Sequence, residues 1–136
     1  LRDASFTKAK LDGASFVRVE LARSDLSTST GEGADFSHAN LSAAELRMCK
    51  LRGARFDEAC LADANAQKVI APGASFVNAD LQRTALRGAK LTGCDLSGAK
   101  LDDCDLRDAD LEEAKVGDAD LTRAKTGGAI LRGVRS

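Results

Sequence analysis

The large apolar side chains of this chain recur at every fifth residue. All 17 Leu and all five Phe fall on the series that begins at Leu1 and continues through Phe6 and Leu11, and only five of its 27 positions carry another residue. Two residues before these positions runs a column of smaller side chains, from Ala4 to Val134, and Ala occupies 18 of its 27 positions. The repeating unit therefore reads A-x-[LF]-x-x, and no insertion breaks its register.

A five-residue period fits neither of the two regular secondary structures. On an α-helix five residues turn about 500°, so successive Leu would point in different directions. On a β-strand five is an odd number, so successive Leu would alternate between the two faces. Both arrangements place large apolar groups in water. A chain that bends once per unit instead points every Leu or Phe, and the small residue before it, toward one axis.

A second period of 20 residues indicates how many units make one coil. Phe16, Phe36, Phe56 and Phe76 are 20 residues apart, and a Gly precedes each of them by three positions. Gly at a recurring corner favours a type II turn, whose third residue has a positive φ. We therefore expect four units per coil, with each residue stacked on the residue 20 positions later.

This repeat resembles the pentapeptide-repeat family, and the resemblance extends from Leu1 to about Val134. It implies an all-β fold, a right-handed quadrilateral parallel β-helix (solenoid) of about seven 20-residue coils. In that fold the central Leu or Phe and the preceding Ala point inward, and the other three residues point outward. We expect one domain over residues 1–136, as part of a longer chain or without its terminal caps.

Composition and charge argue against several classes of function. Acids and bases nearly cancel, 21 against 20, which gives no overall case for binding nucleic acid or an anionic membrane. Tyr and Trp are absent, so no such ring can stack on bases. The apolar runs are too short to span a membrane, and no signal peptide is visible. We expect no direct nucleic-acid binding, no membrane insertion and a cytoplasmic location, unless a targeting segment lies outside these residues.

Residues that could carry chemistry form no recognisable catalytic or metal pattern. Cys49, Cys94 and Cys104 take the small inward position and Cys60 an outward one, no two are 20 residues apart, and C-x-x-C does not occur. His38 has no Ser or Cys partner at a fixed spacing. Motifs for nucleotide, zinc and calcium sites are missing. We therefore predict reduced thiols, no enzymatic activity, no cofactor and no metal.

One charged feature is a candidate recognition surface, an acidic collar near the end of the sequence. Residues 95–120 carry ten acids against three bases. The collar residues that we name as a candidate partner contact are Asp102, Asp103, Asp105, Asp108, Asp110, Glu112 and Glu113. Some pentapeptide-repeat proteins mimic duplex DNA and protect type II topoisomerases from quinolones, which makes that role an alternative for this chain.

Stacking at 20 residues counts against DNA mimicry, because it places opposite charges above one another. Exposed ion pairs contribute only about 0–1 kcal/mol each, but they cancel the field that a mimic needs. The predicted columns are Asp63, Arg83, Asp103 and Arg123; Asp80, Lys100 and Asp120; and Asp95, Lys115 and Arg135.

Two stretches depart from the repeat. Residues 24–33 are rich in Ser, Thr and Gly and place Gly31 where Leu is expected, and residues 62–73 place Ala66 and Ala71 there. One interpretation is a distorted edge that a partner recognises. The other, which we favour, is thinner packing and a locally irregular turn. The exposed apolar contacts in the first interpretation are Val69, Ile70 and Val77.

The sequence thus predicts a non-enzymatic scaffold or protein-interaction module whose flat faces meet a protein partner of unknown identity. Two alternatives are a DNA-mimicking protein that interacts with a topoisomerase (gyrase) and a structural segment of a larger secreted effector or assembly. An open β-helix leaves unpaired backbone and apolar core at both ends. We therefore also expect covalently continuous flanking domains or an end-to-end homodimer.

Overall fold

The computed structural model describes all of residues 1–136, and their backbone winds as one continuous β-helix. Parallel bridges join residues 20 positions apart, from Ser5 with Asp25 to Lys115 with Arg135. Each bridge pairs single residues and does not extend into a strand, because the chain turns again after each of them. The single helix is a 3-10 helix at Leu121–Arg123, and the structure contains no apolar helix of membrane-spanning length.

Each unit turns a corner at the second residue after the central Leu or Phe. From residue 3 to residue 113 every corner residue has a positive φ, such as 68° at Gly13 and 59° at His38. The next N–H closes the turn on the carbonyl of the central residue, as from Ala39 to Phe36 at 3.0 Å. The type II turn predicted from the Gly column is therefore the corner of the coil, and polar residues adopt it as well as Gly.

A regular ladder of backbone hydrogen bonds connects the coils. The N–H of Phe36 donates to the carbonyl of Arg55 at 2.7 Å. The N–H of Arg55 donates back to the carbonyl of Ala34 at 2.9 Å, and the corner N–H of His38 donates to Asp57 at 2.9 Å. With the turn bond, four of the five N–H groups in a unit have a backbone partner. The fifth N–H, on the residue after the central Leu or Phe, faces outward.

The interior is a set of stacked apolar columns, as the periodicity predicts. The rings of Phe16, Phe36, Phe56 and Phe76 lie parallel with centroids 5.0 Å apart. Leu and Ala of the middle coils are buried beside them, whereas the first and last coils are only partly buried. Each fully buried Leu or Phe stabilises the fold by about 1.5–3 kcal/mol, so stability is distributed along the columns.

The two departures from the repeat differ in packing. Around Ala66 and Ala71 the interior contains a cavity of about 10 Å³ that only apolar side chains line, so it offers no polar partner to an ordered water. At Gly31, by contrast, an added Cβ would lie 2.9 Å from Cδ2 of Leu51. Leu51 therefore occupies the space that the missing side chain leaves, and packing is thinner only at the two Ala positions.

The register, predicted as unbroken, changes locally near residue 117. The positive φ falls on Gly117, at 52°, and not on Asp118. A positive φ at the first central position is typical of a type II′ turn and favours Gly there. Gly117 also lies close to Ser97, because an added Cβ would meet the Ser97 Oγ at 2.8 Å.

The altered turn displaces the segment that follows it. The 3-10 helix begins directly after Asp120, whose carboxylate accepts the N–H of Thr122 at 3.0 Å. The bridge expected between Lys100 and Asp120 is missing, and the N–H of Asp103 donates to the carbonyl of Arg123. The regular ladder resumes at residue 125.

Candidate interaction surfaces

The apolar residues predicted as exposed contacts do not form one patch. Val69 is only 3% exposed, so its assignment as an exposed contact is wrong, because residue 69 belongs to the small inward column. Ile70 and Val77 are partly buried and lie on two neighbouring faces of the coil. Met48 lies at a corner and is 52% exposed, which is more than any of the three predicted residues. It was not identified from the sequence.

Ion pairs neutralise much of the acidic collar. Arg107 donates two hydrogen bonds to Asp105, at 2.8 and 2.7 Å, and this contact lowers the pKa of the Asp105 carboxyl to about 2. Four of the seven named collar acids form an ion pair with an arginine. These pairs are Asp102 with Arg123, Asp105 with Arg107, Asp108 with Arg87, and Glu112 with Arg132.

Two of the predicted charge columns contain the expected pairs. Arg83 contacts Asp63 at 2.7 Å, and the Lys115 ammonium lies 3.5 Å from Asp95. The continuation of the first column is wrong, because Arg123 pairs with Asp102 instead of Asp103. The altered turn near residue 117 explains this shift.

The predicted column of Asp80, Lys100 and Asp120 forms no ion pair. Asp80 is bridged to Lys100, but Lys100 is not bridged to Asp120. Asp120 instead caps the 3-10 helix, so the displaced segment takes it out of the column.

The outward N–H of each unit is a donor that the sequence itself often fills. An Asp or Asn two residues earlier accepts this N–H, as Asp35 accepts the Ser37 N–H at 2.9 Å. Hydrogen bonds from Ser37 also lower the pKa of the Asp35 carboxyl. The residues that accept in this way are Asp25, Asp35, Asn40, Asn65, Asp80, Asp95, Asp105, Asp110 and Asp120.

Five exposed cations without an ion pair lie on one face of the middle coils and on the two corners that border it. We call this group the basic corner. Its members are Arg47, Lys50, Arg52, Lys68 and Lys90. The residue range 46–54 contains three of them and no acid. Met48 lies beside Arg47 in the corner column of Lys68, and Ile70 lies between Lys50 and Lys90 in one column of bridges.

Two shallow open depressions adjoin the basic corner. The larger, of about 620 Å³, has Lys50, Arg52 and Ile70 on one side and Asp12, Thr30 and Glu32 on the other. The smaller, of about 430 Å³, is lined by Gln67, Lys68, Arg87, Gly88 and Asp108. Both are open to solvent, so they offer surfaces for contact rather than an enclosed reaction chamber.

The cysteines and the histidine are placed as isolated groups. Cys49, Cys94 and Cys104 are buried, and burial raises the pKa of the Cys94 and Cys104 thiols to about 12. Cys60 is partly exposed, and all four thiols are free. The Nδ1 of His38 lies 3.3 Å from the exposed Glu58 carboxylate. No three His, Cys, Asp or Glu side chains are close enough together to hold a metal ion.

The family model described as pentapeptide repeats matches this chain in eight copies, over residues 1–28, 32–57, 59–98, 89–125 and 99–135. A pentapeptide repeat protein from the thylakoid lumen of Arabidopsis thaliana is 27% identical, over 74% of this chain and 66% of that chain, with a TM-score of 0.54. No protein of curated function matches the sequence.

Two further solved structures are similar over most of the chain. HetL, a pentapeptide repeat protein involved in heterocyst differentiation regulation in the cyanobacterium Nostoc sp. strain PCC 7120, is 28% identical over 97% of this chain and 78% of that chain, with a TM-score of 0.42. QnrB1, a plasmid-mediated fluoroquinolone resistance protein, is 19% identical over 95% of this chain and 84% of that chain, with a TM-score of 0.40.

Proposed function

Because this chain belongs to the pentapeptide-repeat family, we propose that it is a non-enzymatic scaffold that binds a protein partner through its outward side chains. The proposal includes the family's right-handed quadrilateral β-helix, with about seven coils over the 136 residues. Within such a rod each coil contacts only its neighbours, so outward residues can vary without loss of the core.

The observation that carries the proposal is the division between interior and surface. The interior is filled with Leu, Phe and Ala, and the two depressions beside the basic corner are open to solvent. Catalysis needs groups held in a pocket that excludes water, whereas recognition needs a rigid surface with side chains at fixed spacing. Stacked coils supply that surface at intervals of about 4.8 Å.

Affinity capture with the full-length protein, read by mass spectrometry, tests this proposal. We expect one or a few proteins to be retained at stoichiometric yield by the native chain. Substitution of outward charges should release them, while Ala109→Ser, a small change in the inward column, should not. Retention of no protein above the level of uncoupled resin would contradict an interaction role.

The ion pairs in the collar count against the alternative of a DNA mimic that acts on gyrase. Four of its seven acids have an arginine within ion-pair distance, so the collar lacks the continuous negative potential of a phosphate backbone. The similarity to QnrB1 is too distant to support that role. We expect no effect on gyrase supercoiling, with or without quinolone, and inhibition or protection in that assay would restore the alternative.

The remaining expectations stay predictions. They are flanking segments or end-to-end association of the rod, and a cytoplasmic location. The alternative of a structural segment in a larger assembly is compatible with the scaffold role, because a β-helix can continue into further coils.

A further inference from the structure

We propose that the basic corner binds an acidic segment of a partner polypeptide. The inference rests on the proposed function, because it names the chemistry of the partner that the scaffold would recognise. It is carried by the placement of unpaired cations, unfilled backbone donors and apolar side chains on one part of the rod.

The cations of the basic corner differ from most arginines of this protein in having no acid partner. Eight arginines elsewhere on the rod form ion pairs, among them Arg83 with Asp63 at 2.7 Å. Arg47 and Arg52 form none, and Glu45 on the same coil accepts a hydrogen bond from Asn65 at 2.9 Å. The corner therefore keeps a local excess of positive charge on a chain whose net charge is −1.

The spacing of the cations suits an extended segment that lies along the rod. Lys50, Ile70 and Lys90 occupy one column of bridges, so Lys50 and Lys90 are two coils apart. At a coil spacing of about 4.8 Å, the two lysine backbones are separated by about 10 Å. Carboxylates three residues apart on an extended segment of polyproline II type project from the same side and lie about 9 Å apart, at about 3.1 Å per residue.

Backbone donors at the corner are also open to a carboxylate. The outward N–H groups of Arg47 and Arg52 have no hydrogen-bond partner within the chain. At nine equivalent positions elsewhere, an Asp or Asn two residues earlier accepts the corresponding N–H, as Asp95 accepts that of Ser97 at 2.9 Å. The chain thus demonstrates, with its own aspartates, how a carboxylate fits this donor, and a hydrogen bond to a charged acceptor is stronger than a neutral one.

Apolar side chains among the cations favour a polypeptide over a nucleic acid or a membrane. Met48 is 52% exposed and Ile70 is partly buried, which provides an adaptable apolar contact beside the charges. The rod has no Tyr or Trp, four of its five Phe lie in the stack and Phe6 packs edge-on against Phe16, so no fully exposed ring is available for bases. Two apolar side chains are too few to anchor a protein in a lipid surface.

The test compares the native chain with two triple charge reversals. The first carries Lys50→Glu, Arg52→Glu and Lys68→Glu at the basic corner. An acid already occupies the columns of Arg52 and Lys68 at other coils, Glu32 in the first and Asp108 in the second, so the fold should tolerate these changes. The control carries Arg18→Glu, Lys100→Glu and Lys125→Glu, which alters the net charge equally with exposed, unpaired cations elsewhere.

Binding is measured by fluorescence anisotropy with a labelled glutamate-rich peptide that contains interspersed leucines. The same peptide with Gln for Glu, duplex DNA and phosphatidylserine vesicles serve as comparison probes. We expect the corner reversal to weaken binding of the glutamate-rich peptide about tenfold or more, and the control reversal to leave it nearly unchanged. Circular dichroism of each variant confirms that the comparison is between folded proteins.

The outcomes separate the inference from the proposed function. Equal binding by both reversals, or binding of DNA or vesicles as tight as that of the peptide, would overturn the inference. If affinity capture still retains partners that the corner reversal does not release, the scaffold role stands and the basic corner is not its site. If the native chain retains neither partner nor peptide, both proposals fail.

Discussion

Introducing Leu at two interior positions that lack it should change the free energy of unfolding in opposite directions. Ala66→Leu extends a side chain toward the cavity of about 10 Å³, with Leu46 and Leu86 in the same column on the coils to either side. Gly31→Leu extends a side chain into space that Leu51 already occupies, since even a Cβ at residue 31 would lie 2.9 Å from Cδ2 of Leu51. The repeat pattern alone would predict that both changes stabilise the protein.

The magnitudes follow from burial and packing. Ala66→Leu buries three further carbons at about 0.8 kcal/mol each, less about 0.5–1 kcal/mol of side-chain entropy. Because the cavity is smaller than the added group, neighbouring side chains must shift, and we expect a net gain of about 1 kcal/mol. Gly31→Leu should cost about 1–3 kcal/mol from overpacking, offset by less than about 1 kcal/mol for the loss of Gly freedom in the unfolded chain.

Thermal and urea unfolding of the two variants and the native chain measures the difference. We expect Tm to rise by about 4 °C for Ala66→Leu and to fall for Gly31→Leu. Stabilisation of both variants by similar amounts would refute the argument, because the repeat would then accept Leu at any inward position regardless of local packing.

Three further predictions concern reactivity, titration and local stability. At neutral pH a thiol reagent should modify Cys60 rapidly and the other three cysteines only on unfolding, so fast loss of more than one thiol, counted by mass spectrometry, would be contradictory. NMR titration should give Asp105 a pKa of about 2, and Arg107→Ala should raise it toward 3.8. Because the folded pKa is the lower one, the stability that this carboxylate contributes is present above about pH 4 and is lost as the pH falls toward 2; a pKa that Arg107→Ala leaves unchanged would refute the stated cause. Hydrogen exchange should be faster in residues 116–123, where the ladder is interrupted, than in residues 76–83, and equal protection would contradict the altered turn.

Most of the architecture could be predicted from the period of the apolar residues. Leu at every fifth residue cannot be buried by a helix or a flat strand, so a coil with a corner in each unit is the remaining solution. The 20-residue spacing of Phe16, Phe36, Phe56 and Phe76 then fixes which residues stack. The same rule places Val69 in the small inward column, so the expectation that Val69 is exposed is wrong.

The altered turn could not be predicted from side-chain periodicity. The Leu and Ala columns remain in register through residues 116–125, and the columns do not specify which of the two central turn residues takes the positive φ. Gly117 can adopt it more readily than Asp118, and this local preference moves the segment that contains Arg123. The pairing of Arg123 with Asp102 follows from that displacement.

The candidate surface was only partly visible in the sequence. Grouping Lys50 and Lys90 in one column needs only the 20-residue period. The period does not show which cations lack an ion-pair partner. Long side chains reach across neighbouring coils and also along one coil, as Arg107 does to Asp105. The acidic collar was the more conspicuous feature of the sequence. Ion pairs neutralise four of its seven acids, whereas the cations of the basic corner have no ion pair.

Zero-length carbodiimide crosslinking of the native chain to the glutamate-rich peptide tests most directly the claim that recognition lies on the basic corner. The reagent joins a lysine amine to a carboxylate only when the two are in contact, and mass spectrometry identifies the lysine. We expect crosslinks at Lys50, Lys68 and Lys90. Crosslinks distributed over all the exposed lysines, or concentrated at Lys100 and Lys125, would contradict the account.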